Sequence, residues 1–309
     1  MILSASRRTD IPAYFSEWLI NRLKAGFALT RNPMNHAQVS KILLTHDVVD
    51  CIVFWTKDPQ NMMDKLDTLD KMGYKYYFQF SITPYDISIE RGLREKAEII
   101  KTFSDLSDRI GKDKVVWRYD PVILNNIFDI SFHREQFTWL LSKLHKHTGQ
   151  CIISFVDIYS KLKTNILRII SDDEMIELSK IISSAAENYG VKVKACCENS
   201  FLFNYGIEQA SCIDKNLIEK ICGQKLDVKK DKNQRSSCGC YESVDIGAYN
   251  TCKNGCVYCY ANYSQDSVNN NCKNHNPDGE LLIGQINDYD IIRVRNVKTC
   301  KSTQTELFE

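Results

Sequence analysis

Three cysteines near the end of this 309-residue chain carry its clearest chemistry. Cys252, Cys256 and Cys259 stand in Cys-x-x-x-Cys-x-x-Cys spacing within Asn250-Thr251-Cys252-Lys253-Asn254-Gly255-Cys256-Val257-Tyr258-Cys259-Tyr260-Ala261-Asn262. That spacing can set three thiolates around one face of a small metal cluster and leave a fourth position without a protein ligand. Thiolates suit iron–sulfur clusters, and an iron lacking its protein ligand is an open coordination site. The competing reading is a structural zinc knuckle. Tetrahedral zinc commonly takes four ligands from Cys-x2–4-Cys pairs, and a fourth is within reach in so cysteine-rich a region.

The chain has 13 cysteines, eleven of them between Cys196 and Cys300. In a reducing compartment such an excess reads as metal binding. Cys238-Gly239-Cys240, Cys212 and the pair Cys196-Cys197 offer thiolates for a second centre, either a fully ligated iron–sulfur cluster or a zinc ion. Cys51 and Cys151 each open an apolar run and read as core. Cys222, Cys272 and Cys300 have no motif around them.

These ligands need a scaffold. Apolar runs at 2–5, 51–55, 76–82, 115–119, 151–156 and 191–195 alternate with helix-patterned segments, which argues for parallel βα units. Several runs are apolar almost throughout, as strands covered on both faces are. Phe15, Trp18, Leu19 and Leu23 form one helical stripe, with Gly26 as its stop. Ile99, Phe103, Leu106 and Ile110 form a second before Gly111, and Phe137, Leu140, Leu141 and Leu144 a third. Ser171-Asp172-Asp173-Glu174 reads as a capping box opening a fourth helix, ended by Gly190. Segments 27–30 and 39–45 predict a hairpin inserted between the first two units. The expected fold is α/β: a complete or partial parallel βα, TIM-like barrel over 1–224. A cysteine-rich segment, 225–309, packs on it, entered through the basic connection 225–235.

Charged residues gather where the apolar runs end. Arg7, Arg8 and Asp10 follow the first and Lys57 the second. Arg118 and Asp120 lie in the fourth, Asp157 and Lys161 follow the fifth, and Glu198 the sixth. Loops at the C-terminal ends of parallel strands converge on ligands. A charge inside an apolar strand, as at Arg118, must find a partner or face a polar cavity. Arg118, Asp120, Asp157 and Glu198 are the catalytic candidates, and Arg7, Arg8, Asp10 and Lys57 join Tyr258, Tyr260 and Asn262 as cofactor-binding candidates. The plainer reading is helix caps and surface ion pairs; Asp10, just before Ile11-Pro12, has the form of an N-cap.

The cysteine string, with an aromatic residue before its third cysteine, resembles that of radical S-adenosylmethionine (SAM) enzymes. The resemblance implies a 4Fe–4S cluster on Cys252, Cys256 and Cys259 whose open iron chelates SAM, with Tyr258 near the adenine. Over nearly the whole chain, Ser4-Ala5-Ser6-Arg7-Arg8-Thr9-Asp10-Ile11-Pro12-Ala13, Phe54-Trp55-Thr56-Lys57, Trp117-Arg118-Tyr119-Asp120-Pro121, Ser154-Phe155-Val156-Asp157, Gln234-Arg235, Cys238-Gly239-Cys240 and Asp245-Ile246-Gly247-Ala248-Tyr249-Asn250-Thr251-Cys252 look like those of domain-of-unknown-function family 1848. That family's Cys-x-Glu string implies Cys196 and Glu198 as the matching positions and Cys197 as the variable one. Radical SAM domains usually carry the cysteine loop after their first strand. Here it comes last, as in a circular permutation, and no Gly-Gly-Glu string accompanies it. The Cys-Val-Tyr-Cys-Tyr piece also resembles spore photoproduct lyase, over the cysteine loop alone.

The expected function is reductive SAM cleavage and hydrogen abstraction from a small molecule, with Arg7, Arg8, Lys57 and Arg118 favouring an anion. The electron would come from a reduced carrier such as flavodoxin or ferredoxin. Alternatives are a non-catalytic iron–sulfur or zinc protein and, with a formal net charge of only +1 against it, a nucleic-acid repair enzyme. No secretory leader and no apolar span of about 18 residues is read, so the expected location is cytoplasmic, without a membrane partner.

Overall fold

The computed structural model describes residues 1–159 and 166–302; Lys161 lies outside the described residues. The chain begins with β1 (Ile2–Ala5), a short helix α1 (Ile11–Tyr14) and α2 (Ser16–Ala25), which Gly26 ends in the left-handed conformation. The expected hairpin follows as β2 (Phe27–Asn32) and β3 (Asn35–Leu43), antiparallel to each other. Next come β4 (Cys51–Thr56), α3 (Leu66–Lys71), β5 (Tyr76–Ser81), α4 (Lys96–Ile110), β6 (Val115–Val122), α5 (Ile130–Leu144), β7 (Gln150–Phe155), α6 (Asp172–Glu187) and β8 (Lys192–Ala195). The predicted capping box of α6 is present, with Ser171 and Glu174 each accepting from the other's backbone N–H. The remainder comprises β9 (Glu208–Gln209), α7 (Lys215–Cys222), β10 (Val244–Asp245), α8 (Gln265–Lys273) and β11 (Ile291–Val294).

Eight strands form one sheet in the order β10-β1-β4-β5-β6-β7-β8-β9, and every pairing in it is parallel. The α/β class and the βα alternation are therefore as the sequence predicts. Among the described residues the hydrogen bonding does not close a barrel, because β10 and β9 are edges and no ladder joins them. The strand from the cysteine-rich segment, β10, pairs with β1, so that segment completes the sheet of the preceding units. A second sheet, β11-β3-β2, sits on the inserted hairpin.

The two-residue period of the strands sorts their side chains to two covered faces. Leu3, Ile52, Phe54, Phe78, Phe80, Trp117, Tyr119 and Ile153 pack in one cluster with Trp18, Phe103, Phe137 and Ile182 from the helices. The alternate residues Ile2, Val53, Tyr77, Val116 and Ile152 pack with Ala210, Ile213, Ile218, Leu226 and Cys240. The second face is thus filled by α7 and the chain on either side of it. This is why the strands read as unbroken apolar runs. Cys51 and Cys151 are fully buried, one in each cluster, as core residues should be. No helix among the described residues is long and apolar enough to cross a membrane.

Candidate functional site

A parallel sheet points all its C-terminal strand ends the same way. Here residues in or just after the strands line one cavity of about 780 Å³. It brings together Arg7, Arg8, Asp10, Lys57, Arg118, Asp120, Asp157, Glu198, Tyr258, Tyr260, Cys196, Cys212, Cys238, Cys240, Cys252, Cys256 and Cys259. Asn262 alone among the predicted site residues is not part of this wall. Its amide donates to the Cys252 carbonyl at 2.7 Å, so it braces the cysteine loop from behind.

The cysteine loop is held by its neighbours' backbones. Val257 N–H donates to Ile89 O at 3.0 Å, and Gly92 N–H to Asn254 O at 2.9 Å. A Cβ on Gly92 would stand 2.1 Å from the Lys253 carbonyl oxygen, an approach only glycine allows. Asp10 ties three pieces of chain together. It caps α1 by accepting from Ala13 N–H at 3.0 Å, accepts from Lys57 N–H at 2.8 Å, and accepts from the Asn254 side chain at 3.1 Å. Burial pushes its carboxyl up to about 6 against these bonds. The expected N-cap role is real, and it also anchors the loop.

Lys57 is committed beneath the loop. Its ammonium lies 2.7 Å from Glu90 Oε1, which also accepts from Thr83 at 2.7 Å and from the Tyr258 hydroxyl. Lys96 pairs with the other Glu90 oxygen at 3.4 Å. Burial opposes the Glu90 charge, yet Lys57 and then Lys96 hold its carboxyl down to about 2. The thiols of Cys252 and Cys256 go the other way. Burial raises Cys252 well above an ordinary thiol and Cys256 to about 12, the latter partly offset by Lys57. A metal there would deprotonate them outright.

On the far wall, Arg118 is 6% exposed and pairs with Asp120, the two lying on one side of β6. Its other nitrogen donates to Cys212 Sγ at 2.9 Å. Trp55 lies between Arg118 and Arg7, each guanidinium within 5.3 Å of its ring centre. Asp120 also accepts from Ser154. Asp157 forms an ion pair with Arg235, and Glu198 accepts from Phe155 N–H at 2.8 Å. Burial raises the Glu198 carboxyl to about 7.

The second group of thiols is compact. Cys196, Cys212 and Cys240 have their sulfurs all within 4.8 Å of one another. Cys196 and Cys212 stand 3.0 Å apart, and Cys197 lies 4.0 Å from Cys196. Cys238 Sγ accepts from Cys240 N–H at 3.5 Å. Contact with neighbouring thiols drives Cys196 above and Cys240 below the usual thiol range. Crowded sulfurs cannot all shed their protons without a cation between them. These cysteines could hold a metal.

Several residues of the site had no signal in sequence. Glu90 and Asn254 sit outside the strand ends, and Asp245, the last residue of β10, was given no role. Asp245 accepts from Ser4, Ser6, Arg7 N–H and Gly247 N–H, fixing the turn after β1. The basic connection proves to be wall: Asp231 and Arg235 line the cavity. A short carboxylate in a turn cannot be told from a solvated one by type alone. Cys222 and Cys272 donate to the Asp50 and Thr251 carbonyls.

Comparison with known proteins yields one family. The chain belongs to the family described as Domain of unknown function (DUF1848), which matches residues 2–261. No curated protein matches it. Among solved structures, one from Bacteroides thetaiotaomicron, described as a "putative alpha-L-fucosidase", is 12% identical with a TM-score of 0.25. The match covers 50% of this chain and 66% of that one, just under two thirds of its length. A likeness this slight carries no argument.

Proposed function

We propose that this member of the family is a radical SAM enzyme, its cluster held by Cys252, Cys256 and Cys259 in a partial βα barrel permuted so that the cluster loop comes last. The observation that carries the reading is that these three thiols, in a spacing that leaves a fourth position open, line the same cavity as the charged residues at the strand ends. Three thiols with a cavity in front of them fit a cluster with one open iron.

When bound, such a cluster supplies the electron that cleaves SAM and so provides the hydrogen-abstracting agent. The chain's own residues bind, orient and seal. Glu90 fixes the Tyr258 ring, and Lys57 sets a positive charge beside Cys256. Glu198 can keep or give up a proton near neutral pH within the cavity. Arg118 and Asp120 hold each other, so Arg118 positions Asp120 more than it attracts an anion. Lys57 is likewise spent on Glu90, and Arg8 makes no ion pair among the described residues, so Arg8 is the cation left to favour an anionic small molecule. A reduced flavodoxin- or ferredoxin-type carrier would deliver the electron.

The test is anaerobic reconstitution with iron and sulfide, then reduction in the presence of SAM. The expected result is 5′-deoxyadenosine and methionine, abolished by Cys256→Ala. Full iron loading without 5′-deoxyadenosine would overturn the assignment and leave a metal protein without this catalysis.

A further inference from the structure

We propose that Cys196, Cys212, Cys238 and Cys240 bind one tetrahedral, all-thiolate divalent ion of the zinc class, separate from the centre on Cys252. The first argument is size. The mutual approach of Cys196, Cys212 and Cys240 within 4.8 Å suits a tetrahedron with edges of about 3.8 Å. Four irons and four sulfides would not fit between them. Cys238 supplies the fourth ligand: its Sγ accepts from Cys240 N–H at 3.5 Å, and it lies against Cys196 as well. Cys197 touches Cys196, at 4.0 Å, and Cys238, but makes no side-chain contact with Cys212 or Cys240, and stays outside the set.

The second argument is charge. A divalent ion on four thiolates carries two net negative charges, and two guanidiniums face the group. Arg118 donates to Cys212 Sγ at 2.9 Å. Arg7, which lies beside Cys240, has a buried Nη2 with no hydrogen-bond partner among protein atoms. Arg118 is paired with Asp120 and Arg7 lies 3.8 Å from Asp231, and the further nitrogens that the two turn toward the thiols would be matched by the negative charge of a thiolate-bound ion.

The third argument is backbone. A Cβ on Gly239 would stand 2.5 Å from the Ala210 carbonyl oxygen, so only glycine lets the Cys238–Cys240 turn press against the chain just before Cys212. The ion would tie the end of β8, the two-residue edge strand β9 and the crossing to β10 into one unit.

The experiment uses the full chain carrying Cys252→Ala, Cys256→Ala and Cys259→Ala, so its outcome does not depend on the SAM reading. Cobalt(II) titration should reach one equivalent, with the visible bands of a tetrahedral thiolate site. X-ray absorption should count four sulfurs at about 2.3 Å. Adding Cys240→Ala should abolish the bands, and adding Cys197→Ala should leave them. The sulfur count needs no further substitution, so it decides even if Cys240→Ala fails to fold. No cobalt uptake, fewer than four sulfurs, or iron with acid-labile sulfide on these cysteines would overturn the proposal.

Discussion

Lys57 and Glu90 meet across 2.7 Å beneath the cysteine loop, and the Tyr258 hydroxyl donates to the same carboxylate oxygen. One residue comes from the end of β4, the second from the loop after β5 and the third from between two thiols. The triad thus converts strand positions into the position of the ring beside Cys256. A buried charge held by two ammoniums is stable only while all three are present.

Replacing Glu90→Gln should therefore leave Lys57 and Lys96 buried without their counter-charge. The expected cost is about 3–5 kcal/mol of stability, the range for breaking a buried pair. Denaturant unfolding of the metal-free protein measures it. A loss smaller than 1 kcal/mol would mean the ammoniums find water instead.

Gly92→Ala should displace the cysteine loop, because the new methyl would meet the Lys253 carbonyl at 2.1 Å. Iron incorporated on reconstitution should fall severalfold. Gly149→Ala, where nothing lies within 4 Å of the added carbon, is the matched control and should load normally. Equal loading in the two variants would show that the loop does not depend on this contact.

His133 predicts a pH effect of its own. Its Nε2–H donates to the Ile123 carbonyl at 2.8 Å, and its Nδ1 accepts from the Tyr119 hydroxyl at 2.7 Å, beside Arg118 and Asp120 on β6. Burial holds the imidazole down to about 4, against 6.5 in the unfolded chain. The unfolded state then binds more protons between these values, so the contribution is complete above pH 6.5 and is lost as pH falls through 4. It amounts to about 3 kcal/mol. His133→Gln should remove that part of the slope of stability against pH, and an unchanged slope would refute the assignment.

Arg118→Gln should weaken metal binding at the second thiol group about 10–100-fold, the usual effect of losing a donor to a ligand atom. Competition with a chelator, in protein lacking the cysteines at 252, 256 and 259, reads this directly. Unaltered affinity would mean the Cys212 contact contributes nothing to the site.

Much of this architecture was legible because it rests on periodicity. The six apolar runs, the inserted hairpin, the capping box at Ser171 and the stop at Gly26 are all local patterns. The gathering of Arg118, Asp157, Glu198 and Cys256 at one cavity followed from parallel strands alone. What stayed hidden depends on contacts distant in sequence. Glu90 is one acidic residue among many until Lys57 and Tyr258 fold onto it. Arg7 and Arg118 read as anion binders until the thiols and Asp120 appear beside them. Periodicity alone does not say whether a complete or a partial barrel forms: α7 and the chain around it cover the second face of an open sheet. The connection over 225–235 looked like linker, although Asp231 and Arg235 make wall.

The most direct test of the central assignment is electron paramagnetic resonance of the anaerobically reconstituted, reduced protein with and without SAM. A cluster with one iron free of protein ligand should give a reduced 4Fe–4S signal that changes on adding SAM and is absent in the Cys252→Ala, Cys256→Ala, Cys259→Ala variant. A signal indifferent to SAM, or one that survives loss of these three cysteines, would contradict the account.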